Sequence, residues 1–253
     1  MKKSNAVSYI VLLAILVLAG WLYFKQNNKI TTVSLATPKT DTAKNLSEIT
    51  ISTKNIKEEN FSGKVAVVAG KSLLAQKAEE YINQTVADFR KQANTDVPDM
   101  RAKFGADSPT AQYEIDIDAK YINGKKAESV VMLVYNYTGG AHGNSVYKVI
   151  TTSLSNGKIL SLSDVITKGE EKAFTAFVKK ELNAWRPEGA DASPVFPEDV
   201  AALKFDSFVN WSLDEKNLIL YFDQYAIGPG ALGPVAFPIQ LVKIRNFLDL
   251  IYK

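Results

Sequence analysis

Ten consecutive residues, Tyr135 to Asn144 (YNYTGGAHGN), hold the only histidine of the sequence and three of its 14 glycines. An imidazole is the side chain whose ordinary titration lies nearest neutral pH, so His142 could carry a proton or touch a ligand from an exposed loop. Gly139, Gly140 and Gly143 allow backbone conformations that a tight connection between strands requires. On the other reading, His142 hydrogen-bonds its ring to backbone carbonyls and holds that loop closed. No nucleophile or orienting acid stands at a recognisable spacing, which favours the structural role. Ser145, three residues on, does not make a triad signature. Asp116 and Asp118 share one face of a strand and could bind a hard cation or act as acid and base, although alternating acids on an exposed strand are usually just solvated. The glycines do not open a helix after a strand, so a phosphate cradle is not expected. Gly228-Pro229-Gly230 with Gly233-Pro234 forms a second backbone-specialised loop. Tyr221, Phe222 and Tyr225 precede it, as core or as an aromatic contact surface.

Composition narrows the chemistry further. With one His and no Cys in 253 residues, the chain cannot assemble a His/Cys zinc site, a disulfide, a thiolate nucleophile or a Cys-linked lipid anchor. No cofactor and no metal are expected. The formal charge of +3 is spread along the chain rather than gathered in a patch, so nucleic acid is not an expected partner.

Val7 to Phe24 is free of charge and follows Lys2 and Lys3. As a helix it would be about 27 Å long, close to a bilayer core of roughly 30 Å. It reads as a single-pass membrane anchor with the N-terminus inside and the bulk of the chain outside. The alternative is a signal cleaved near Ala19, against which the apolar run continues through Trp21, Leu22, Tyr23 and Phe24. Residues 25–48 are Thr-, Asn- and Lys-rich without an aromatic and read as a flexible linker. Beyond it, 49–253 is nearly neutral and long enough to bury a core without disulfides.

Several elements must position the candidate residues. Lys64 to Ala69 is a short β-rich run. From Ser72 to about Gln92, Leu74, Ala78, Tyr81, Ile82, Thr85, Val86 and Phe89 recur at helical spacing, with Ser72 as cap. A loop is expected from Pro98 through Pro109. Tyr113, Ile115 and Ile117 then alternate with acids, Asn123-Gly124 signals a hairpin, and Val130–Tyr137, Ser145–Leu154 and Lys158–Leu162 continue an antiparallel meander. A second amphipathic helix spans about Glu170 to Trp185. A hairpin of Phe208–Leu213 and Leu218–Phe222 follows. Strands and helices in separate runs predict an α+β fold of antiparallel sheets with packed helices. Asn-x-Ser/Thr triplets at Asn45, Asn60, Asn83, Asn136 and Asn210 read as chance.

Three strings carry a family resemblance: Tyr135-Asn136-Tyr137-Thr138-Gly139-Gly140-Ala141-His142; Asn156-Gly157-Lys158 leading to Leu160-Ser161-Leu162-Ser163-Asp164; and Leu220-Tyr221-Phe222-Asp223-Gln224-Tyr225-Ala226-Ile227-Gly228. The chain resembles the extracytoplasmic module shared by RsiV-like anti-sigma factors and the N-terminal, non-catalytic part of PdaC-like peptidoglycan deacetylases, two adjoining domains of which the C-terminal is the clearer match. After the anchor or signal at residues 1–24 and the linker at 25–48, the resemblance implies a PdaC-like N-terminal α+β domain at 49–127 and an RsiV-like C-terminal α+β domain at 128–253. It implies a non-enzymatic envelope-binding or sensing module with a cell-wall glycan or a lysozyme-like protein as partner, lysozyme recognition being associated with the RsiV branch. Tyr137, Thr138, Gly139, Gly140, His142 and Tyr225 are the candidate contact residues. The alternative is a hydrolase of cell-wall material using carboxylates and His142. Relatives usually carry Pro after the motif His, where this chain has Gly143. About six residues precede the apolar segment, too few for a sigma-binding region, and one His cannot supply a deacetylase metal site.

Overall fold

The computed structural model describes residues 48–253, which belong to one compact unit. The apolar segment 7–24, the position near Ala19 and the linker to residue 47 lie outside the described residues. Among the described residues, no helix is long and apolar enough to cross a membrane.

The chain enters through a hairpin, β1 (Thr50–Lys57) and β2 (Phe61–Ala69). Helix α1 (Leu73–Phe104) follows, with Ser72 capping its start through a bond from the Ala75 N–H. Its buried stripe, Leu74, Ala78, Ile82, Val86, Phe89, Ala93 and Val97, covers one face of the sheet. The loop expected from Pro98 is instead helix. Ala93 and Val97 extend the apolar stripe past the point where the sequence pattern was expected to end, and Pro98 sits on the exposed side, where the carbonyl it leaves unpaired can be hydrated. Arg90 grips Glu58 with two nitrogens at 2.9 and 2.8 Å, and Arg101 donates to the Glu59 carbonyl at 2.7 Å, so the far half of the helix is tied to the β1–β2 turn.

β3 (Tyr113–Asn123), β4 (Ala127–Thr138) and β5 (Asn144–Ser153) form the expected antiparallel meander. β2, however, pairs with β3 in parallel, so the five-stranded sheet of order β1-β2-β3-β4-β5 is mixed rather than antiparallel. Parallel neighbours need a long crossover, and α1 supplies it. The strand expected at Lys158–Leu162 reduces to one bridge, Thr152 with Ile159. Beyond it the Asp164 carboxylate accepts from the Ser161 N–H at 2.8 Å and its hydroxyl at 2.6 Å, which turns the backbone into a 3-10 helix at Leu162–Asp164.

Helix α2 (Glu171–Ala184) buries Phe174, Val178 and Leu182, and the short helix α3 (Pro197–Ala202) buries Val200. They pack with a second sheet, β6 (Trp211–Leu213), β7 (Asn217–Phe222) and β8 (Val235–Gln240), all antiparallel. β8 was not foreseen because Pro238 interrupts it, but an edge strand tolerates proline where its missing N–H points away from the neighbour. The chain continues into α4 (Leu241–Ile244).

Two apolar cores result. One runs from Phe61 to Ile150 beneath α1; the other is built from Leu162 onward, joined by Ala127. The division expected at 127/128 therefore falls inside a continuous sheet, where β3 and β4 pair from Tyr113–Thr138 to Asn123–Glu128. The cores part after β5. On the sheet face away from α1, Ile122, Val131 and Val149 close against Tyr221 of β7.

Candidate functional site

The outer edge of β5 is where the two cores meet, and there side chains take the place of a sixth strand. Gln224 serves both backbone groups of Ser145: its side-chain oxygen accepts from the Ser145 N–H at 3.0 Å, and its own N–H donates to the Ser145 carbonyl at 3.0 Å. Asp223 accepts from the Tyr147 N–H at 2.6 Å. The Asn210 amide donates to the Tyr147 carbonyl at 2.9 Å and accepts from the Val149 N–H at 3.0 Å. The Thr151 hydroxyl donates to the Trp211 carbonyl at 2.9 Å, and the Leu160 N–H donates to the Thr151 carbonyl at 2.8 Å. An open edge is a template for unwanted strand pairing. This one is closed from Ser145 to Thr151.

The glycine-rich loop hangs from the N-terminal end of that edge. Gly139 has φ +81° and lies so close to the Thr110 carbonyl that a side chain there would collide with it. Gly143 is buried under the Tyr135 ring, and any Cβ at 143 would overlap that ring.

His142 lies on the surface, with both ring nitrogens engaged. Nδ1 is 3.0 Å from the Gly143 carbonyl and Nε2 is 3.1 Å from the Tyr225 hydroxyl. A carbonyl can only accept, so Nδ1 carries the proton and Nε2 accepts from Tyr225. Tyr225 is 50% exposed. It is also the one non-glycine with positive φ, +71°, among the described residues, a conformation that costs of order 1–3 kcal/mol and persists only where the surroundings impose it. Its predecessor Gln224 is fixed on Ser145 and on the Gly230 carbonyl (3.0 Å), and its ring lies over Gly230, which has no room for a side chain.

Beneath this surface Tyr221 is buried and Tyr147 is half-buried. Burial, with the nearby Tyr221 and the Asp223 charge, raises the Tyr147 hydroxyl well above its ordinary value. Burial pushes Tyr221 up to about 12; its bond with Ser212 opposes the shift, and Asp214 adds to it. On β3, burial and then the Asp116 charge raise Glu114. Asp118 is raised by desolvation, against the pull of Lys64 and with the push of Asp116. Asp116 is committed to the backbone, accepting from the Lys64 N–H at 2.7 Å. Among the described residues no group of three or more His, Asp or Glu side chains is placed to hold a metal ion.

Of the six candidate residues the fold brings His142 and Tyr225 into direct contact across 83 positions. Tyr137 aims its hydroxyl at the Pro109 carbonyl, 3.5 Å away, and Thr138 ends β4 opposite Tyr113. Gly139 rests on Thr110, and Gly140 stands open with only the His142 carbonyl near it. The aromatic group before the second loop splits: Tyr221 and Phe222 are core, Tyr225 is surface. Sequence reasoning did not find Asn210, Asp223 and Gln224 as the residues that seat the loop. The signal was their position, since Asp223 and Gln224 immediately precede Tyr225 in a string already singled out.

Comparison with known proteins places these parts in two matched regions. Residues 24–145 match the family model described as Deacetylase PdaC, and residues 163–241 match the model described as Protein of unknown function (DUF3298). The peptidoglycan-N-acetylmuramic acid deacetylase PdaC of Bacillus subtilis (strain 168) is 26% identical over 142 residues, covering 55% of this chain and 30% of that protein. The matched stretch is thus less than a third of that relative's length. Crystal structures of two DUF3298 family proteins share the fold. The one from Bacteroides fragilis NCTC 9343 has a TM-score of 0.58 at 18% identity, covering 80% of this chain and 94% of that chain. The one from Pseudomonas aeruginosa PAO1 has a TM-score of 0.52 at 17% identity, covering 81% and 95%. His142 and Tyr225 lie one in each matched region, so the junction is where the two regions meet.

Proposed function

We propose that this chain, a PdaC-like module with a C-terminal DUF3298 domain, is a non-enzymatic binding module of the bacterial cell envelope, held at the membrane by residues 7–24 with its folded unit outside. The loop 139–143 and Tyr225 form the contact surface, and peptidoglycan or a lysozyme-like protein is the partner. The observation that carries this reading is the state of His142. Both ring nitrogens are occupied, by the Gly143 carbonyl and by Tyr225, and neither partner is an acid or an activated nucleophile. Such a pair presents an ordered polar and aromatic surface, which suits recognition. The named activity of the Bacillus subtilis relative is that protein's own; its substrate name supports peptidoglycan as the first partner to test.

The test is co-sedimentation of the Leu46–Lys253 unit with purified peptidoglycan, and pull-down with lysozyme. Retention by either supports the module, with His142→Gln lowering it and no sugar or acetate released. The rival hydrolase reading draws on the raised Glu114 and Asp118 carboxyls. It requires released product that disappears in His142→Gln. Failure of both partners to retain the protein rejects the proposed ligands.

A further inference from the structure

At the opposite end of the first sheet from the His142 loop, the molecule carries cations without partners. Lys125 and Lys126 in the β3–β4 turn, with Arg245 and Lys253 near the end of the chain, line a groove of about 390 Å³. Among the described residues none of these four side chains is in an ion pair. Lys243, by contrast, is paired with Glu181 at 2.9 Å. The acids on the wall are Asp214 and Glu215, and Asp214 is already bonded to the backbone N–H groups of Lys216 and Asn217. The floor is apolar, formed by Leu213, Leu241, Leu248 and Tyr252. Gly124 packs the turn directly onto β6, where a Cβ would stand 2.6 Å from the Leu213 carbonyl. Large aliphatic side chains are exposed here: Val242 of the groove is 77% exposed, and Leu250 and Ile251, just before the lining Tyr252 and Lys253, are 81% and 64% exposed.

The topology says by which end the chain enters. Thr50 pairs with Ala69, and β2 runs parallel to β3, so the start of β1 and the β3–β4 turn lie at the same end of the sheet. The chain therefore enters the folded unit at the groove end. The stretch from Lys25 to Glu48 connects that entry to the apolar segment 7–24. Unpaired cations together with exposed aliphatic side chains are the composition of a surface that rests in a lipid headgroup layer.

We propose that this end, through Lys125, Lys126, Arg245 and Lys253 with Val242, Leu250 and Ile251, docks on an anionic lipid bilayer, which turns the His142–Tyr225 loop away from the membrane. The direction of approach rests on the anchor reading of 7–24; the lipid contact itself does not. The Leu46–Lys253 unit is mixed with vesicles of phosphatidylcholine alone and with vesicles containing phosphatidylglycerol, and the bound fraction is read by sedimentation. Binding to the anionic vesicles only is expected, falling about fivefold for each cation replaced by Gln and falling with salt. Replacing Val242, Leu250 and Ile251 by Ser is expected to cost a further severalfold at an unchanged melting temperature. No binding overturns the proposal and leaves the anchor and glycan readings standing. Binding to vesicles that ignores the three Ser substitutions, and is matched by a soluble acidic polymer, also overturns it. In the full chain, which has no Cys, a polarity-sensitive dye on Ile251→Cys is expected to shift blue in phosphatidylglycerol vesicles while one on Asp107→Cys does not. Equal spectra at the two positions overturn the proposal as well.

Discussion

Asp223 and Gln224 on one side and Tyr225 on the other are adjacent in the chain and do opposite work. The first two turn toward β5, where their side-chain oxygens accept from its backbone N–H groups; the third turns out, half-exposed, in a backbone conformation non-glycine residues rarely adopt. The same division holds across the junction. Ser145, Tyr147 and Val149 are closed by side chains, while His142 touches solvent and its tyrosine partner. A run of diagnostic residues thus contains a lock and a tip, and only the tip is available to a ligand.

The largest effect is expected from breaking the lock. Asn210→Ala strips partners from the Val149 N–H and the Tyr147 carbonyl at once. A loss of about 2–4 kcal/mol is expected in urea unfolding of the Leu46–Lys253 unit. A loss below about 0.5 kcal/mol would mean that β5 does not depend on the lock. Alkaline pH attacks the same junction from beneath. The folded value of Tyr221, near 12, lies above its ordinary 10, so its share of stability is whole below pH 10 and is lost as pH rises toward 12. Roughly 2 kcal/mol is expected to disappear over that window, with Tyr147 acting in the same direction. A melting temperature flat from pH 9 to pH 12 would contradict the burial of these two phenols at the junction. Gly143→Ala presses on the Tyr135 ring and is expected to cost about 1–2 kcal/mol. The companion Gly143→Ala/Tyr135→Leu protein should recover part of that loss if the ring is the obstacle. The smallest stability effect belongs to the tip, where His142→Gln should stay within about 0.5 kcal/mol of the unaltered protein.

Local periodicity made α2, the β3–β4–β5 meander and most of β7 legible, because each of these writes its burial into three- and four-residue or alternating spacing. Other elements carried misleading marks. Pro98 read as a breaker although it sits on the wet side of α1; β1 has only Ile51 and Ile56 as apolar residues, at no regular alternation; and Pro238 hid β8, where an edge position tolerates it. The parallel pairing of β2 with β3 follows from a crossover that no local pattern reveals. Among the candidate residues, His142 and Tyr225 were recognised but their contact was not. The lock bridges separations of 61 to 79 residues through lone Asn, Asp and Gln side chains. A single polar residue looks the same in sequence whether it meets water or a strand edge.

The central claim, that recognition resides in the tip and stability in the lock, is tested most directly by co-sedimentation of the Leu46–Lys253 unit with purified peptidoglycan, comparing the unaltered protein with His142→Gln at matched folded fraction. Retention is expected to fall by about tenfold for His142→Gln, a binding loss of about 1.4 kcal/mol, while the melting temperature holds. Undiminished retention, or a drop in retention that merely follows a drop in melting temperature, would contradict the account.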